Sequence, residues 1–287
     1  MRRHWESMNN DKKKSVAIGR ALLSGPYLIW MIGFILLPLV FILYYAITAA
    51  DGSFTFSNIA AIADPVHVKS ILLSLKLGFL CTLFCLVLSY PLCMILSTFR
   101  FRHQSFVVFL FILPMWMNFL LRTLAWQTLL EKNGVINSIL AFFHLPGISI
   151  INTPGAIILG MVYNFLPFMV LPIYNVLIKI DRDVINAARD LGANSVQTFL
   201  KVTLPLTTPG IVSGITMVFI PALTTFVISD LLGGSKILLI GNVIEQEFKQ
   251  TNNWNAGSAL STVLMIFIIL SMVLMNKYDK DGEGTAF

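Results

Sequence analysis

The stretch DRDVINAARDLGANSVQTFLKVTLPLTTPG, residues 181–210, decides how the rest of this chain is organised. It is polar and carries charges of both signs, whereas apolar blocks long enough to cross a bilayer stand on either side of it. Residues 185–188 predict a helix with a small-residue face, which another protein surface can approach closely. Gly192 is placed to end that helix, because glycine takes the left-handed conformation of a C-terminal cap without penalty.

A second helix is expected directly after this turn. Asn194 or Ser195 is suited to cap a short helix that runs through Thr203, since both side chains accept hydrogen bonds from the first helical N–H groups. Pro205 and Pro209 are then expected to break the chain before the next apolar block. The pattern predicts a helix–turn–helix elbow exposed at a membrane surface.

Length and composition exclude an ordinary water-soluble domain. The 287 residues are 56% hydrophobic and only 12% charged, and the mean hydropathy is +0.80. A soluble chain carries about twice that charged fraction. The length allows roughly six spans of ~20 residues with their loops. We therefore predict an all-α polytopic membrane protein of about six transmembrane helices, with the elbow between two of them.

The apolar blocks give the domain organisation. Residues 1–24 form a basic N-terminal segment, 25–276 the transmembrane domain and 277–287 a polar tail. The first apolar run has spanning length and lacks a small-residue cleavage site, so it is interpreted as an uncleaved first span. The six spans are predicted at residues 26–46, 71–98, 106–124, 156–178, 210–228 and 259–275.

The distribution of positive charge gives an orientation. Most of the 20 Lys and Arg residues fall in the N-terminal segment, in alternate loops and in the tail. By the positive-inside rule, both termini and the elbow at 181–210 are expected on the cytoplasmic side of the plasma or inner membrane. This asymmetry explains the net charge of +6 without nucleic acid as a partner.

No catalytic or metal-binding constellation is found in the sequence. Cys81, Cys85 and Cys93 lie in one apolar run and are interpreted as buried small side chains. The four histidines are scattered singly, and neither a Walker A pattern nor a GxSxG motif occurs. We expect no cofactor and no chemical reaction on this chain.

Polar and aromatic groups at membrane depth are candidates for a substrate path, because burying them in lipid is costly. Trp116 and Asn118 lie in the third predicted span, Tyr163 and Asn164 in the fourth, and Asp230 closes the fifth on the outer side. The sequence leaves alternatives open for them. The two aromatic residues also fit an aromatic belt or helix packing, and the aspartate also fits a solvated helix end.

Three further features of the outer side are less specific. Arg122 is expected to pair either with Asp230 or with a lipid headgroup. Residues 133–145 carry apolar side chains at helical spacing and predict a short interfacial helix. The long loop at 230–254 predicts a helix around Glu245, and loops of this length are often functional.

The elbow resembles the coupling loop of ABC-importer permeases, whose pattern is Glu-Ala-Ala, three residues, Gly, nine residues, Ile, one residue and Leu-Pro. Here Asn186 stands in place of the Glu and Val202 in place of the Ile. The resemblance implies that the elbow contacts an ATPase through Asn186, Ala187, Ala188, Asp190, Gly192, Val202, Leu204 and Pro205.

A second resemblance concerns the substrate. Residues 113–122, 187–193, 227–234 and 238–244 are similar to the spermidine/putrescine permeases of the B type. The resemblance implies the type I ABC-importer permease fold, a homodimeric ABC ATPase, a second related permease subunit and an extracellular or periplasmic polyamine-binding protein. Trp116, Tyr163 and Asp230 then offer aromatic faces and a carboxylate to a cationic substrate.

Two other classes of protein were weighed against this interpretation. A secondary transporter or channel driven by an ion gradient predicts paired ionisable groups at mid-membrane and inverted repeats. An intramembrane enzyme requires a nucleophile–base pair or a metal cluster. The sequence displays neither pattern, and neither class explains the elbow. We therefore expect half of the pore of an ATP-driven importer, with ATP hydrolysis by a partner chain.

Overall fold

A computed structural model of the chain describes residues 25–49, 51–98, 113–234 and 236–278. Within these ranges the fold is helical, with one isolated β-bridge between Thr48 and Phe54. The helices are α1 (Gly25–Ala46), α2 (Pro65–Thr98), α3 (Phe119–Leu130), α4 (Val135–Phe142), α5 (Pro154–Leu177), α6 (Arg182–Asp190), α7 (Ser195–Thr224), α8 (Val227–Gly233), α9 (Ile240–Lys249) and α10 (Trp254–Tyr278).

Five of these helices, α1, α2, α5, α7 and α10, are long and apolar enough to cross a membrane. Together with the family resemblance and the helical content, they confirm the predicted all-α membrane architecture. The short helix predicted at 133–145 is present as α4, and the helix predicted around Glu245 is present as α9. The predicted terminal segments, residues 1–24 and most of the tail, lie outside the described residues.

The described residues form two compact units, of which the first comprises those within 25–61 and 253–263. Its helix α1 has a spanning segment in which no residue is buried, which is typical of a helix that faces lipid or a partner. The turn after α1 is held by two amide side chains. Asn58 donates to the carbonyl of Thr48 at 2.8 Å, and Asn255 donates to the same oxygen at 2.5 Å.

The second unit comprises the described residues within 62–252 and 264–278, and it has its core between α2, α5 and α7. Cys81, Cys85 and Cys93 are fully buried in it and form no disulfide, which confirms their predicted packing role. At Gly210 the backbones of α5 and α7 approach so closely that a Cβ would lie 2.8 Å from the carbonyl oxygen of Pro172. Glycine at position 210 therefore permits the close contact between α5 and α7 within the core.

The expected break at Pro205 and Pro209 is wrong, because α7 runs without interruption from Ser195 to Thr224. A π-helical turn, Phe199–Thr203, precedes the first proline, and the N–H of Leu204 donates to the carbonyl of Phe199. This wider turn accommodates the proline ring, and packing against neighbouring helices supports a span with missing hydrogen bonds. The second helix of the elbow is thus the first part of the span α7.

The fifth span also ends earlier than predicted. Helix α7 stops at Thr224, and Thr225 is extended, with ψ 137°. Phe226 precedes the separate short helix α8. Pro221 lies inside the last turn of α7, and the N–H of Thr225 donates to its carbonyl oxygen. The predicted boundary at residue 228 is therefore wrong, and the chain turns four residues sooner.

The third predicted span, residues 106–124, is only partly within the described ranges. Its described part is not one helix: a 3₁₀ turn occupies Leu113–Trp116, and α3 begins only at Phe119. Asn118 is extended, with ψ 128°, and caps α3. A single helix ending at residue 124 is therefore wrong, because a local capping interaction starts a new helix that continues to Leu130.

Candidate functional site

The elbow has the predicted helix–turn–helix structure. Helix α6 ends in a turn at Gly192, whose φ of +86° lies in the left-handed region. The N–H of Gly192 donates to Arg189, and the N–H of Ala193 donates to Ala188, so the last carbonyl groups of the helix are satisfied. A side-chain Cβ at Gly192 would meet no atom within 4 Å, so glycine is required here by its backbone conformation and not by lack of space.

Asn194, one of the two residues proposed as a cap, begins the second helix. Its Oδ1 accepts from the N–H of Gln197 at 2.8 Å, and Gln197 Oε1 accepts from the N–H of Asn194 at 3.0 Å. This reciprocal pair is a capping box, which satisfies two otherwise unpaired donors. The two caps stabilise the elbow through short-range interactions.

One face of α6 closes a cavity of about 430 Å³. Arg182, Asn186 and Arg189 line it from this helix, at the spacing that places side chains on one helical face. The ends of α2 and α5 contribute Met94, Ser97, Leu177 and Ile178, and the beginning of α7 contributes Ser195, Thr198, Phe199 and Thr203. We call this space the arginine cavity.

The other face of α6 is largely apolar and, like Arg182, Asn186 and Arg189, exposed to solvent. Val184 and Leu191 are 46% and 90% exposed, and Ala187 lies between them with its side chain open to solvent. Ala188 is half-buried, and Asp190 is exposed at the end of the helix. The structure therefore separates Asn186, which lines the arginine cavity, from Ala187, which belongs to the exposed face.

The second half of the predicted coupling motif is part of α7. Val202 is half-buried in the π-helical turn, Leu204 packs against the core, and Pro205 is exposed. These residues join the elbow to the spanning part of α7. The motif thus consists of an exposed helix and a partly buried segment of α7, joined by the turn at Gly192.

A second cavity of about 350 Å³ lies beyond the other end of α7, and we call it the carboxylate cavity. Its acidic groups are Asp230 of α8 and Glu245 of α9, and it is also lined by Leu238, Asn242, Gln246, Lys249 and Gln250. Lys249 Nζ lies 2.7 Å from Glu245 Oε1, four residues earlier on the same helix. The ammonium group of Lys249 is therefore already paired with one of the two carboxylates.

Asn242 holds this cavity together. It is only 2% exposed, and its Nδ2 donates to Asp230 Oδ1 at 2.5 Å. Its Oδ1 accepts from Ser229 Oγ at 2.5 Å and from the N–H of Leu239 at 3.1 Å. The amide thus links the beginning of α9 to α8 and fixes the position of the Asp230 carboxylate.

Partial burial raises the pKa of Asp230 above its usual 3.8, and the nearby Glu245 carboxylate raises it further. The hydrogen bond from Asn242 acts in the opposite direction and lowers this pKa. The Asp230 side chain remains exposed to the cavity although it is part of α8. It is therefore an accessible carboxylate whose deprotonated form is disfavoured by its surroundings.

Asn242, Glu245 and Lys249 were not among the residues selected from the sequence. They lie at the helical spacing that places polar groups on one face of α9, which is the signal that would have identified them. Gly241 brings this helix against the end of α7, because a Cβ there would lie 2.7 Å from the carbonyl oxygen of Thr224. The close approach positions the polar face next to Asp230.

Trp116 and Asn118, which were selected from the third predicted span, do not line the carboxylate cavity. Trp116 is 77% exposed in the 3₁₀ turn. Asn118 caps α3, since its Oδ1 accepts from the N–H groups of Leu120 at 2.9 Å and Leu121 at 3.3 Å. The Oδ1 of Asn118 therefore caps the first turn of α3.

The selected residues of the fourth span pack within the protein. The ring of Tyr163 lies 5.2 Å from that of Trp126 and 5.8 Å from the guanidinium carbon of Arg122. Arg122 itself donates from Nη1 to the carbonyl of Pro114 at 2.6 Å and forms no ion pair with Asp230 among the described residues, whereas its pairing with a lipid headgroup stays a prediction. Asn164 is 1% exposed and donates to the carbonyl of Gly160 at 2.8 Å.

Comparison with known proteins identifies the family. Residues 15–280 match the family described as binding-protein-dependent transport system inner membrane component. The chain is 39% identical over 259 residues to a spermidine/putrescine transport system permease protein PotB of Haemophilus influenzae, covering 86% of this chain and 91% of the relative. It is 38% identical over 253 residues to the Escherichia coli protein of the same name, covering 85% and 92%.

Solved structures share the fold. A bacterial ABC transporter involved in the import of the acidic polysaccharide alginate superposes with a TM-score of 0.79 at 17% identity, covering 97% of this chain and 100% of that one. The MetNI methionine ABC transporter gives a TM-score of 0.56 at 20% identity, covering 76% and 98%. The chain belongs to the family of inner membrane components of binding-protein-dependent transport systems.

Proposed function

We propose that this chain is a permease subunit of an ABC importer for polyamines and forms half of the translocation pore. The carboxylate cavity is the structural observation that carries the proposal. Asp230 and Glu245 line one cavity at the end of the span α7. The sequence identity to spermidine/putrescine permeases over most of the chain supports the same substrate class.

The chemistry of the cavity suits a chain of ammonium groups. Ammonium–carboxylate hydrogen bonds are charge-assisted and about twice as strong as neutral ones. Lys249 presents such an ammonium to Glu245 within the protein, which supports a cavity suited to this group. Because an exposed lysine–glutamate pair contributes only ~0–1 kcal/mol, an incoming substrate ammonium displaces Lys249 at little cost.

The elbow serves as the docking site for the ATPase in this proposal. The exposed face of α6, formed by Val184, Ala187 and Leu191, offers an apolar surface with small side chains at its centre. Two copies of the ATPase would bind one such helix on this chain and one on a second, related permease subunit. A polyamine-binding protein would deliver the substrate at the opposite end of the spans.

Motion then passes from the ATPase to the pore through the continuous helix α7. Because the second helix of the elbow is the first part of the span, a displacement of α6 passes through the turn at Gly192 directly into α7. ATP binding would favour one orientation of the spans and ATP hydrolysis the other, which is a population shift driven by differential binding. We place both termini and the elbow in the cytoplasm.

Uptake of labelled spermidine and putrescine tests this function. The chain is expressed with its partner subunits in cells that lack their own polyamine import. Asp230→Asn and Glu245→Gln each remove one charge from the carboxylate cavity. Each should raise the external concentration for half-maximal uptake about fivefold, and the double variant about twenty-fivefold if the two effects are independent.

Glu247→Gln is the matched control, because it makes the same charge change on the same helix but outside the cavity. Glu247 accepts a hydrogen bond from Thr251 and should leave uptake unchanged. Absence of ATP-dependent polyamine uptake by the wild-type assembly would refute the proposed substrate. Equal effects of the control and cavity variants would refute the role of the carboxylates.

A further inference from the structure

The arginine cavity has an unneutralised positive charge. Arg182 and Arg189 lie seven residues apart on α6, which is two turns or about 10 Å along the helix axis. Among the residues that the structure describes, no Asp or Glu lines the cavity. Within the described ranges, neither guanidinium forms an ion pair or a side-chain hydrogen bond.

The acidic residues of the elbow lie outside the cavity lining. Asp181 caps α6, since its Oδ1 accepts from the N–H of Asp183 at 3.0 Å. Asp183 and Asp190 are exposed and do not line the cavity. The positive charge on the inner face of α6 is therefore separated from the negative charge of the same segment.

Asn186 lies midway between the two arginines. A carboxylate at this position would stand four residues after Arg182 and three before Arg189, which are the spacings at which opposite charges pair on a helix. Asparagine leaves both guanidinium groups available and adds an amide donor between them. The three side chains thus present only donors, apart from the amide oxygen.

The other residues that line the arginine cavity are of two chemical kinds. Ser195, Thr198 and Thr203 carry hydroxyl groups at the beginning of α7, whereas Met94 and Leu177 form an apolar surface where the spans α2 and α5 end. A volume of about 430 Å³ is sufficient for a phosphate group with part of a glycerol unit, since ligand pockets begin at about 300 Å³. The cavity thus combines a cationic face with an apolar face at a membrane boundary.

We propose that the arginine cavity binds a phosphate group, held by Arg182 and Arg189 with Asn186 between them. Arginine binds phosphate through paired, parallel hydrogen bonds, which makes it the favoured residue for this ligand. The phosphate belongs either to the headgroup of an anionic phospholipid or to a soluble phosphate. The apolar wall fits the first source, because it lies where the first methylene groups of a lipid would extend.

The bound phosphate would link the face of α6 that lines the arginine cavity to the ends of α2 and α5. This leaves the outer face, with Ala187 and Leu191, free for a protein partner. The phosphate site does not depend on which substrate the permease carries. The proposal of this site therefore still holds if polyamines are not the substrate.

Native mass spectrometry of the full-length chain, purified in mild detergent, tests the site. Phosphatidylglycerol is titrated against phosphatidylcholine, whose phosphate is masked by a cationic headgroup, and inorganic phosphate is added in a separate series as a competitor. Asn186→Glu should weaken phosphatidylglycerol binding about tenfold or more, because the new carboxylate pairs with both arginines. Arg182→Gln combined with Arg189→Gln should have the same effect without adding a negative charge.

Val184→Glu is the matched control, because it introduces the same charge on the exposed face of α6 and should leave binding unchanged. Preferential binding of phosphatidylglycerol that the cavity variants lose supports the lipid source. Saturable binding of inorganic phosphate that the same variants lose, with no lipid preference, supports the soluble source. If neither ligand distinguishes the wild type from the cavity variants, or if the control loses binding equally, the proposed site does not exist.

Discussion

The two cavities at the ends of α7 are similar in size and opposite in charge. In the part of the chain that the structure describes, the arginine cavity of about 430 Å³ is lined by two guanidinium groups and no carboxylate. The carboxylate cavity of about 350 Å³ is lined by two carboxylates and one lysine. A single helix therefore connects a site suited to anions with a site suited to cations, and any motion of that helix acts on both.

The two cavities also differ in how their charged groups are held. Asp230 is fixed by the buried amide of Asn242, and Glu245 by Lys249, so the carboxylates are ordered before any ligand arrives. Arg182 and Arg189 project from a nine-residue exposed helix that is held by its caps. The charged groups of the carboxylate cavity are thus positioned by neighbouring side chains, whereas Arg182 and Arg189 are exposed and have no side-chain partner among the described residues.

The largest expected effect concerns which side of the membrane each cavity faces. In a variant without Cys81, Cys85 and Cys93, a single cysteine at Gln250 should react with an impermeant thiol reagent in intact cells. A cysteine at Asn194 should be protected, since the elbow is placed in the cytoplasm. Both positions are exposed, so burial does not explain a difference between them.

Permeabilised cells provide the control for this experiment, because both cysteines should then be labelled. Labelling of Asn194→Cys in intact cells would reverse the proposed orientation and remove the docking role of α6. Protection of both positions in intact cells would contradict an outer location of the carboxylate cavity.

The next largest effect is expected at the turn of the elbow. Gly192→Val places a β-branched side chain at φ +86°, at a local cost of ~1–2 kcal/mol. The turn should relax, so that α6 no longer presents its exposed face and uptake is lost. Co-purification of the ATPase should fall in parallel, while insertion of the chain in the membrane is unchanged.

Gly52→Val is the matched control for this substitution. Gly52 has a φ of +80°, and a Cβ there also meets no atom within 4 Å, so the backbone strain is the same. The control should retain ATPase binding. Loss of ATPase binding in both variants would mean that the effect is general destabilisation and not a property of the elbow.

The elbow was predictable because its structure depends on neighbouring residues. Helix C-capping at Gly192 and the capping box at Asn194 involve partners within five residues, and such patterns are visible in a sequence. The continuation of α7 through Pro205 was not predictable in this way. Proline breaks an isolated helix, whereas in this chain a π-helical turn and packing against α5 sustain it.

The carboxylate cavity was only half predictable. Asp230 was selected because it follows an apolar block, but its partners Asn242 and Glu245 belong to a different helix. Their meeting depends on the close approach at Gly241, which no local pattern encodes. The role of Tyr163 in a substrate path stays a prediction, and its ring already faces Arg122 of the same chain.

The smallest expected effect is a pH dependence that separates the two cavities. Only the deprotonated form of Asp230 attracts an ammonium group, and burial together with Glu245 raises the pKa of this carboxyl above 3.8. As the external pH falls, Asp230 is therefore protonated earlier than an ordinary aspartate, and polyamine affinity should decline from a correspondingly higher pH. At the pKa itself half of the carboxyls are protonated, so the concentration for half-maximal uptake should rise about twofold.

Glu245→Gln removes the second cause of the raised pKa but not the first. The decline of affinity should then begin at a lower pH than in the wild type, although the variant binds more weakly at neutral pH. Asp230→Asn should abolish this part of the pH dependence, and Glu247→Gln should reproduce the wild-type curve. Phosphate binding in the arginine cavity should show none of these differences, because guanidinium groups stay charged throughout the range. A wild-type curve that keeps its shape in Asp230→Asn would assign the titration to another group.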